Sequence, residues 1–248
     1  MTEQVVTRRD LFRLRVCYAK QDRLRHLAHL EVLGTIDRCI RRASLPFSVS
    51  NGFSPRMRVQ FSSALPVGAS SQGEWYDLYL RELVDVDEAF KRIYDATPAD
   101  LRPLRAGYVS SELPALEAWL VRSSWQLELC GSEQKSLLFS SEDLRNVLNQ
   151  LACQGQLSYM RKDKCKQVDL TKTLVGFQVE ETSDALVVQL ETRATPTGSL
   201  RPSILLQAAF SELGVDASRV AIRVCRCGQW GENENGELLD PLTTEVVA

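Results

Sequence analysis

The two histidines of this chain, His26 and His29, lie three residues apart in a segment rich in arginine. The apolar spacing after them places His29 in the first turn of a helix, where free backbone N–H groups and the helix dipole favour an anion. A neutral imidazole beside a phosphate can bind RNA or act as a general acid or base. His29 is therefore the candidate catalytic residue and His26 a candidate pocket residue. The alternative is a half-buried histidine that hydrogen-bonds a strand end.

Arginines on predicted strands are the candidate anion-binding residues, because a guanidinium can make forked hydrogen bonds to phosphate. Arg13 and Arg15 alternate with apolar residues in one strand, and Arg56 and Arg58 do so in another. All four are expected on the sheet face opposite the apolar one, which is free for a ligand or for the other half of the chain. Arg25, beside His26, completes this set. The helix arginines have the simpler explanation of a solvated helix face; they are Arg38, Arg41 and Arg42.

Two loops add candidate ligand contacts. The first joins the predicted strands and contains Asn51, Gly52 and Phe53, where Asn and Gly permit positive φ angles and an exposed Phe53 can stack on a base. The alternative is that Phe53 fixes the loop to the core. In the second half, Arg201 precedes a predicted helix, where it and the backbone amides either hold an anion or form an ordinary turn with a surface arginine.

The charge of the chain is unevenly distributed. Residues 1–62 contain 12 Lys+Arg and 5 Asp+Glu, a net charge of +7, and the remainder has 18 and 27, a net charge of −9. This asymmetry indicates an anionic partner or docking of one half on the other. The spacing of the seven cysteines and two histidines predicts no metal site, and no cofactor motif is present. No apolar run approaches the ~18–20 residues of a membrane span and no signal peptide is recognisable, so a cytoplasmic protein is expected.

Hydrophobic periodicity predicts the order strand, helix, strand, strand, helix, strand in each half. The predicted elements of the first half are strand 11–19, helix 28–43, strands 57–62 and 75–81, a helix from Asp85, and strand 104–109. Those of the second half are strand 125–130, a helix from Ser141, strands 174–181 and 185–192, a helix from Pro202, and strand 220–227. Two such units predict an α+β protein with tandem duplicated ferredoxin-like folds and antiparallel sheets. The expected divisions are a first unit 1–112 with the basic and histidine segment, a linker 113–123, a second unit 124–230 and a flexible acidic tail 231–248.

These motifs resemble the bacterial radical-SAM-linked domain of unknown function. The matching segments are Leu24-Arg25-His26-Leu27-Ala28-His29-Leu30-Glu31, Leu45-Pro46, Ser50-Asn51-Gly52-Phe53-Ser54-Pro55, Leu65-Pro66-Val67-Gly68, Glu74-Trp75-Tyr76-Asp77 and Ser199-Leu200-Arg201-Pro202. The chain departs from the family pattern at Ala28, which replaces a serine, and at Arg56-Met57-Arg58, which replaces His-Pro-Lys. A fainter resemblance, at the level of the fold, is to CRISPR repeat-processing endoribonucleases.

The resemblance implies a separate radical SAM protein of the B12 type as partner, because this chain has no such module. The first hypothesis is an accessory recognition module that binds RNA through the candidate arginines, without catalysis. The second is a metal-independent endoribonuclease, or another acid–base enzyme, that uses His29. The third is a protein-docking partner that binds no RNA.

Overall fold

The structure is a computed structural model that describes residues 11–51, 53–131 and 137–243. Its fold is mixed α+β with mostly antiparallel strand pairing. The chain divides into two compact units, one made of Met1–Leu120 with Gly228–Ala248 and the other of Val121–Cys227. None of the helices in the described ranges is long and apolar enough to cross a membrane.

The first unit has the predicted order of elements. They are β1 (Phe12–Lys20), α1 (His29–Arg42), β2 (Val59–Phe61), β3 (Ser70–Leu80), α2 (Val86–Ala96), β4 (Pro103–Val109) and α3 (Leu116–Trp119). The strands lie in the order β4-β1-β3-β2, and each neighbouring pair is antiparallel. Arg15 lies directly opposite Asp77 in the register of β1 and β3.

The core of the first unit lies between the two longer helices and one face of this sheet. Along α1, the buried side chains recur at helical spacing, from Val32 through Ile36 to Ile40, and they pack with Leu14 and Val16 of β1. This is the stripe that the sequence predicts, because apolar residues spaced by three and four share one face of a helix.

The first turn of α1 lacks half of a capping box. The Glu31 carboxylate accepts a hydrogen bond from the Ala28 N–H at 2.7 Å, but Ala28 has no side-chain oxygen to accept from the helix in return. Serine at position 28 is therefore expected to raise the free energy of unfolding by about 1 kcal/mol, because it would satisfy one of the free N–H groups of the first turn. Urea unfolding of Ala28→Ser measures the effect, with Ala64→Ser in an exposed loop as control. An equal midpoint for both variants would contradict it.

The second unit also follows the predicted order, with one additional hairpin. Its elements are β5 (Arg122–Gly131), α4 (Ser141–Gln154), β6 (Gln156–Arg161), β7 (Lys164–Asp169), α5 (Leu170–Thr173), β8 (Leu174–Glu181), β9 (Leu186–Thr195), β10 (Gly198–Ser199) and α6 (Pro202–Glu212), followed by β11 (Val220–Glu232), which begins here and ends in the first unit. The main sheet has the order β11-β5-β9-β8, and β10 also pairs with β9.

Among the described strands, β6 and β7 pair only with each other and form a two-stranded sheet that is separate from the main sheet. Its strands are joined by the two residues Lys162 and Asp163, and Lys162 has a φ angle of 54°. In the described part of the first unit, no such two-stranded sheet lies between α1 and β2. The hairpin is thus an additional element between α4 and β8.

The divisions of the chain differ from the expected ones at the C-terminal end. The second unit ends at Cys227, and the following residues belong to the first unit. The segment expected to be a flexible tail forms β12 (Leu238–Leu239), which pairs with Gly231 and Glu232 at the end of β11. Residues beyond 243 lie outside the described ranges.

Candidate nucleic-acid interface

Arg13 and Arg15 form a buried ion cluster with Asp77 in the first unit. The Arg15 Nε donates to Asp77 Oδ1 at 2.7 Å, and the Arg13 Nε donates to Asp77 Oδ2 at 2.8 Å. Both Arg15 and Asp77 have no exposed surface, and Arg13 is only 2% exposed. Two guanidinium groups therefore share one carboxylate on the sheet face opposite the helices.

Backbone carbonyls satisfy the remaining donors of this cluster. Arg13 donates through Nη1 to the Leu113 carbonyl at 2.7 Å and through Nη2 to the Pro114 carbonyl at 2.8 Å. Arg15 donates through Nη1 to the Pro241 carbonyl at 2.7 Å. The segments before α3 and after β12 thus cover this sheet face. The position of the two arginines opposite the apolar face is as predicted, but the cover leaves neither accessible to a phosphate. Their assignment as ligand contacts is corrected to a structural one.

The segment with Arg25 and His26 is a short 3-10 turn, Asp22–His26, fixed through its backbone. The carbonyl of Arg25 accepts hydrogen bonds from the Lys20 ammonium at 3.0 Å and from the Gly68 N–H at 2.9 Å. The Arg25 Nε donates to the His26 Nε2 at 3.1 Å, and the His26 side chain is exposed. The two predicted residues therefore lie together at the surface, next to the loop that contains Gly68.

His29 begins α1 as predicted, and its half-buried ring packs edge-on against Phe61, with ring centroids 6.2 Å apart. Phe61 in turn contacts Tyr76, whose buried hydroxyl has no hydrogen-bond partner among the described residues. Burial raises the pKa of Tyr76 above its ordinary value, so the phenol stays neutral. His29 is thus placed at the rim of an aromatic cluster, apart from His26, which lies in the preceding turn.

The third group of predicted residues lies on the loop between residues 50 and 58. The Ser50 N–H donates to the Arg56 carbonyl at 2.7 Å, and the Arg58 N–H donates to the Ser48 carbonyl at 2.8 Å, so the two sides of the loop pair like a small hairpin. Phe53 at its tip is fully exposed, and Asn51 is exposed beside it. The alternative in which Phe53 fixes the loop to the core is therefore excluded. Gly52 lies outside the described residues.

Arg56 and Arg58 keep their guanidinium groups available. Within the described ranges, neither side chain has a hydrogen bond or an ion pair, and Arg56 is exposed whereas Arg58 is half-buried. On α1, by contrast, Arg41 pairs with Asp37 at 2.8 Å and lies 5.2 Å from the centre of the Phe47 ring. The free cations next to the exposed aromatic ring are thus those of the loop.

Two of the described cysteines, one in each unit, have raised pKa values. Burial raises the pKa of Cys17 to about 12, although Arg105 partly opposes the shift. In the second unit, the side-chain hydrogen bond with Cys225 and burial raise the pKa of Cys227. A thiol becomes reactive as a thiolate, so both cysteines are inert in this structure.

Arg201 lies in the second unit, immediately before α6, and is exposed. It lines a cavity of about 450 Å³ together with residues of the β6–β7 hairpin, among them Tyr159, Arg161 and Lys166. These three residues were not among the predicted site residues. The alternation of Leu157, Tyr159 and Arg161, continued by Lys164, Lys166 and Val168 after a two-residue turn, is the signal that could have found them.

Apart from His29, which packs against Phe61, the predicted site residues therefore fall into four groups. Arg13 and Arg15 are buried, and Arg201 belongs to the other unit. Arg25 and His26 lie together in the turn before α1, and Asn51, Phe53, Arg56 and Arg58 lie together on the loop. The loop is the group that combines an exposed aromatic ring with cations that have no partner in the part of the chain the structure describes.

Three solved structures resemble this chain distantly. A chain of the "Crystal Structure of a Cbf5-Nop10-Gar1 Complex" aligns with 91% of this chain at 10% identity and a TM-score of 0.49, and this chain spans about half (52%) of its length. The "Crystal Structure of an Unknown Protein from Galdieria sulphuraria" aligns with 87% of this chain and 98% of its own at 12% identity and a TM-score of 0.27. The "Crystal structure of putative glycine cleavage system transcriptional repressor" covers the same shares at 9% identity and a TM-score of 0.23. Likenesses this distant identify no function.

The family comparison is more informative. No curated protein matches the chain. A family model matches residues 13–202, which include the buried ion cluster, the turn before α1, the 50–58 loop, the β6–β7 hairpin and the start of α6. The chain therefore belongs to the bacterial family described as "Uncharacterized protein conserved in bacteria (DUF2344)".

Proposed function

We propose that this protein is a non-catalytic RNA-binding module that uses the 50–58 loop of its first unit. The observation that carries the proposal is that one loop presents both the fully exposed ring of Phe53 and the exposed guanidinium of Arg56, which has no hydrogen bond or ion pair among the described residues. Burying such a ring against solvent-exposed bases is favourable, and each neighbouring arginine can hold a phosphate of the same strand. Arg58 at the base of the loop, and Arg25 with His26 before α1, add further contacts for the backbone.

The loop variant Phe53→Ala with Arg56→Ala tests this proposal. Loss of one stacking platform and one phosphate contact is expected to weaken binding of a labelled single-stranded RNA at least tenfold, since stacking alone contributes about 1–3 kcal/mol per base. The matched control is Leu83→Ala with Arg92→Ala, which removes one exposed apolar side chain and one exposed arginine elsewhere in the same unit. Equal affinity of the two double variants would reject the loop as the interface.

The same assay separates binding from catalysis. His29 packs against Phe61 and has no role in the proposed binding surface beyond shaping its rim. RNA that remains at full length with the intact protein agrees with the proposal. RNA that is shortened by the intact protein, and not by His29→Ala, would assign the protein as a ribonuclease instead.

We further propose that the bound RNA is presented to a separate radical SAM protein. The support is the sequence resemblance centred on residues 24–31 and 50–55. Copurification of that protein from native cells should diminish when nuclease is added, because the RNA would bridge the two. Copurification that resists nuclease would favour direct protein docking.

We also propose that the two units are tandem copies of one ferredoxin-like fold. Its support is the correspondence of strand orders, β4-β1-β3-β2 in the first unit and β11-β5-β9-β8 in the second. In each, the first and third strands are followed by the longer helices. By this correspondence, β6, β7 and α5 are an insertion into the second copy.

A further inference from the structure

The β6–β7 hairpin carries an unusual concentration of positive charge for an element outside the main sheet. Its sequence contains Arg161, Lys162, Lys164 and Lys166, against the carboxylates of Asp163 and Asp169. Apart from Val168 and Leu157 at its base, and the half-buried Tyr159 and Asp169, its side chains are exposed. The hairpin therefore contributes little to the core, and most of its side chains are exposed to solvent.

Strand register places the charges of the hairpin on one face. Tyr159 lies opposite Lys166, and Arg161 lies opposite Lys164. Since directly opposed residues of an antiparallel pair project to the same side, these four side chains share a face with the buried pair Leu157 and Val168. The tyrosine is thus surrounded by three cations on the side that turns towards the body of the unit.

This face forms one wall of the 450 Å³ cavity, and the turn before α6 forms another. From the turn come the hydroxyls of Thr195, Thr197 and Ser199 and the guanidinium of Arg201. In the described part of the chain, Arg161, Lys166 and Arg201 have no hydrogen bond or ion pair through their side chains. Three unpaired cations therefore converge on one cavity from two separate segments.

One carboxylate also lines the cavity, but it is engaged. Asp169 accepts hydrogen bonds from the Thr171 N–H at 3.0 Å and from the Thr171 hydroxyl at 2.5 Å, and it forms an ion pair with Lys172 at 3.3 Å. The hydrogen bond from the Thr171 side chain is the main cause that lowers the pKa of Asp169. The cavity therefore keeps an excess of positive charge with a tyrosine ring beside it.

We propose that this cavity is a second RNA-binding site, which takes a nucleotide of a single strand with its phosphate on Arg161, Lys166 and Arg201 and its base on Tyr159. Forked guanidinium groups suit a phosphate, and a half-exposed tyrosine ring suits stacking on any base. On the opposite wall, the Thr195 hydroxyl donates to the Gly198 carbonyl at 2.9 Å and lies 3.0 Å from the Thr197 hydroxyl, so the Ser199 hydroxyl is the donor that fits a ribose or phosphate oxygen. The ligand class rests on the proposed function, but the site is separate from the 50–58 loop and is tested separately.

The test is the affinity of the intact protein for a fluorescein-labelled oligouridine, measured by anisotropy across a salt series. Arg161→Ser with Lys166→Ser is expected to weaken binding about tenfold at low salt and to reduce the salt slope by about 0.7, since the site holds one phosphate and each single-strand phosphate contact contributes about 0.7. Tyr159→Leu is expected to weaken binding at least about fivefold with an unchanged slope, because it removes stacking and no charge.

The matched control is Arg219→Ser with Arg223→Ser, which removes the same charge from exposed positions of the same unit that do not line the cavity. If the control weakens binding as much as Arg161→Ser with Lys166→Ser, only overall charge matters and the site is rejected. If the intact protein binds and the hairpin variants bind equally well, the cavity is rejected while the loop interface stands. If the hairpin variants lose affinity and the loop variant does not, the cavity stands and the loop proposal fails. Absence of any binding at low salt rejects both.

Discussion

Replacement of Asp77 by asparagine is expected to lower the free energy of unfolding by about 3–5 kcal/mol, because removal of one partner from a buried ion cluster leaves the other charges uncompensated. Here a single carboxylate forms ion pairs with both Arg13 and Arg15, and all three side chains are buried. Asparagine has nearly the same shape, so the loss comes from charge and hydrogen bonding, with little change in packing.

Equilibrium urea unfolding measures this effect, with Asp37→Asn as control. Asp37 pairs with Arg41 on the exposed side of α1, where an ion pair contributes about 0.3–0.5 kcal/mol. If Asp77→Asn lowers the free energy of unfolding no more than Asp37→Asn does, the buried cluster does not stabilise the fold. The structural role assigned to Arg13 and Arg15 would then be wrong.

Removal of the residues after Gly236 is expected to destabilise the first unit by about 3 kcal/mol. The shortened chain loses the Pro241 carbonyl that accepts from Arg15, and a hydrogen bond to a charged group contributes about 1.5–3 kcal/mol. It also loses the packing of Leu242 on Gly107, and the partly exposed ion pair of Arg105 with Asp240 adds little.

The appropriate comparison is a chain that ends at Thr243, which keeps every contact described for this segment. Unfolding of both chains in urea isolates the contribution of residues 237–243. Identical midpoints would show that the segment does not cover the sheet face in solution, and Arg15 would again be a candidate ligand contact.

The two core helices of the first unit were predictable because their apolar residues recur at helical spacing. The stripe from Val32 to Ile40 is the buried one, and Asp85 caps α2 by accepting hydrogen bonds from the N–H groups of Asp87 and Glu88. Such signals are local, since they depend only on neighbours within the same element.

The environment of Arg13 and Arg15 was not predictable in this way. Alternation assigns both side chains to the face opposite the core, but it does not say what covers that face. The cover depends on backbone carbonyls of Leu113, Pro114 and Pro241, and a carbonyl is present at every position of the chain. No pattern of side chains distinguishes these three residues from residues of an exposed tail.

The β6–β7 hairpin was not predicted, for a different reason. Its strands are short, and their outer positions carry charged side chains where a strand with a buried face would show apolar ones. Lys162 also adopts a positive φ angle in the turn, which a sequence pattern would assign to Gly or Asn. The exposed position of Phe53 was left open by the sequence, because a phenylalanine in a loop fits a buried anchor as well as an exposed contact.

The most direct test of the central claim is the affinity of the intact protein for single-stranded RNA as salt is raised from about 50 to 200 mM. Three or more phosphate contacts predict that the logarithm of the binding constant falls linearly with the logarithm of the salt concentration, with a slope of about −2 or steeper. Failure to retain RNA at the low-salt end, or an affinity that does not change with salt, would contradict RNA recognition by these arginines.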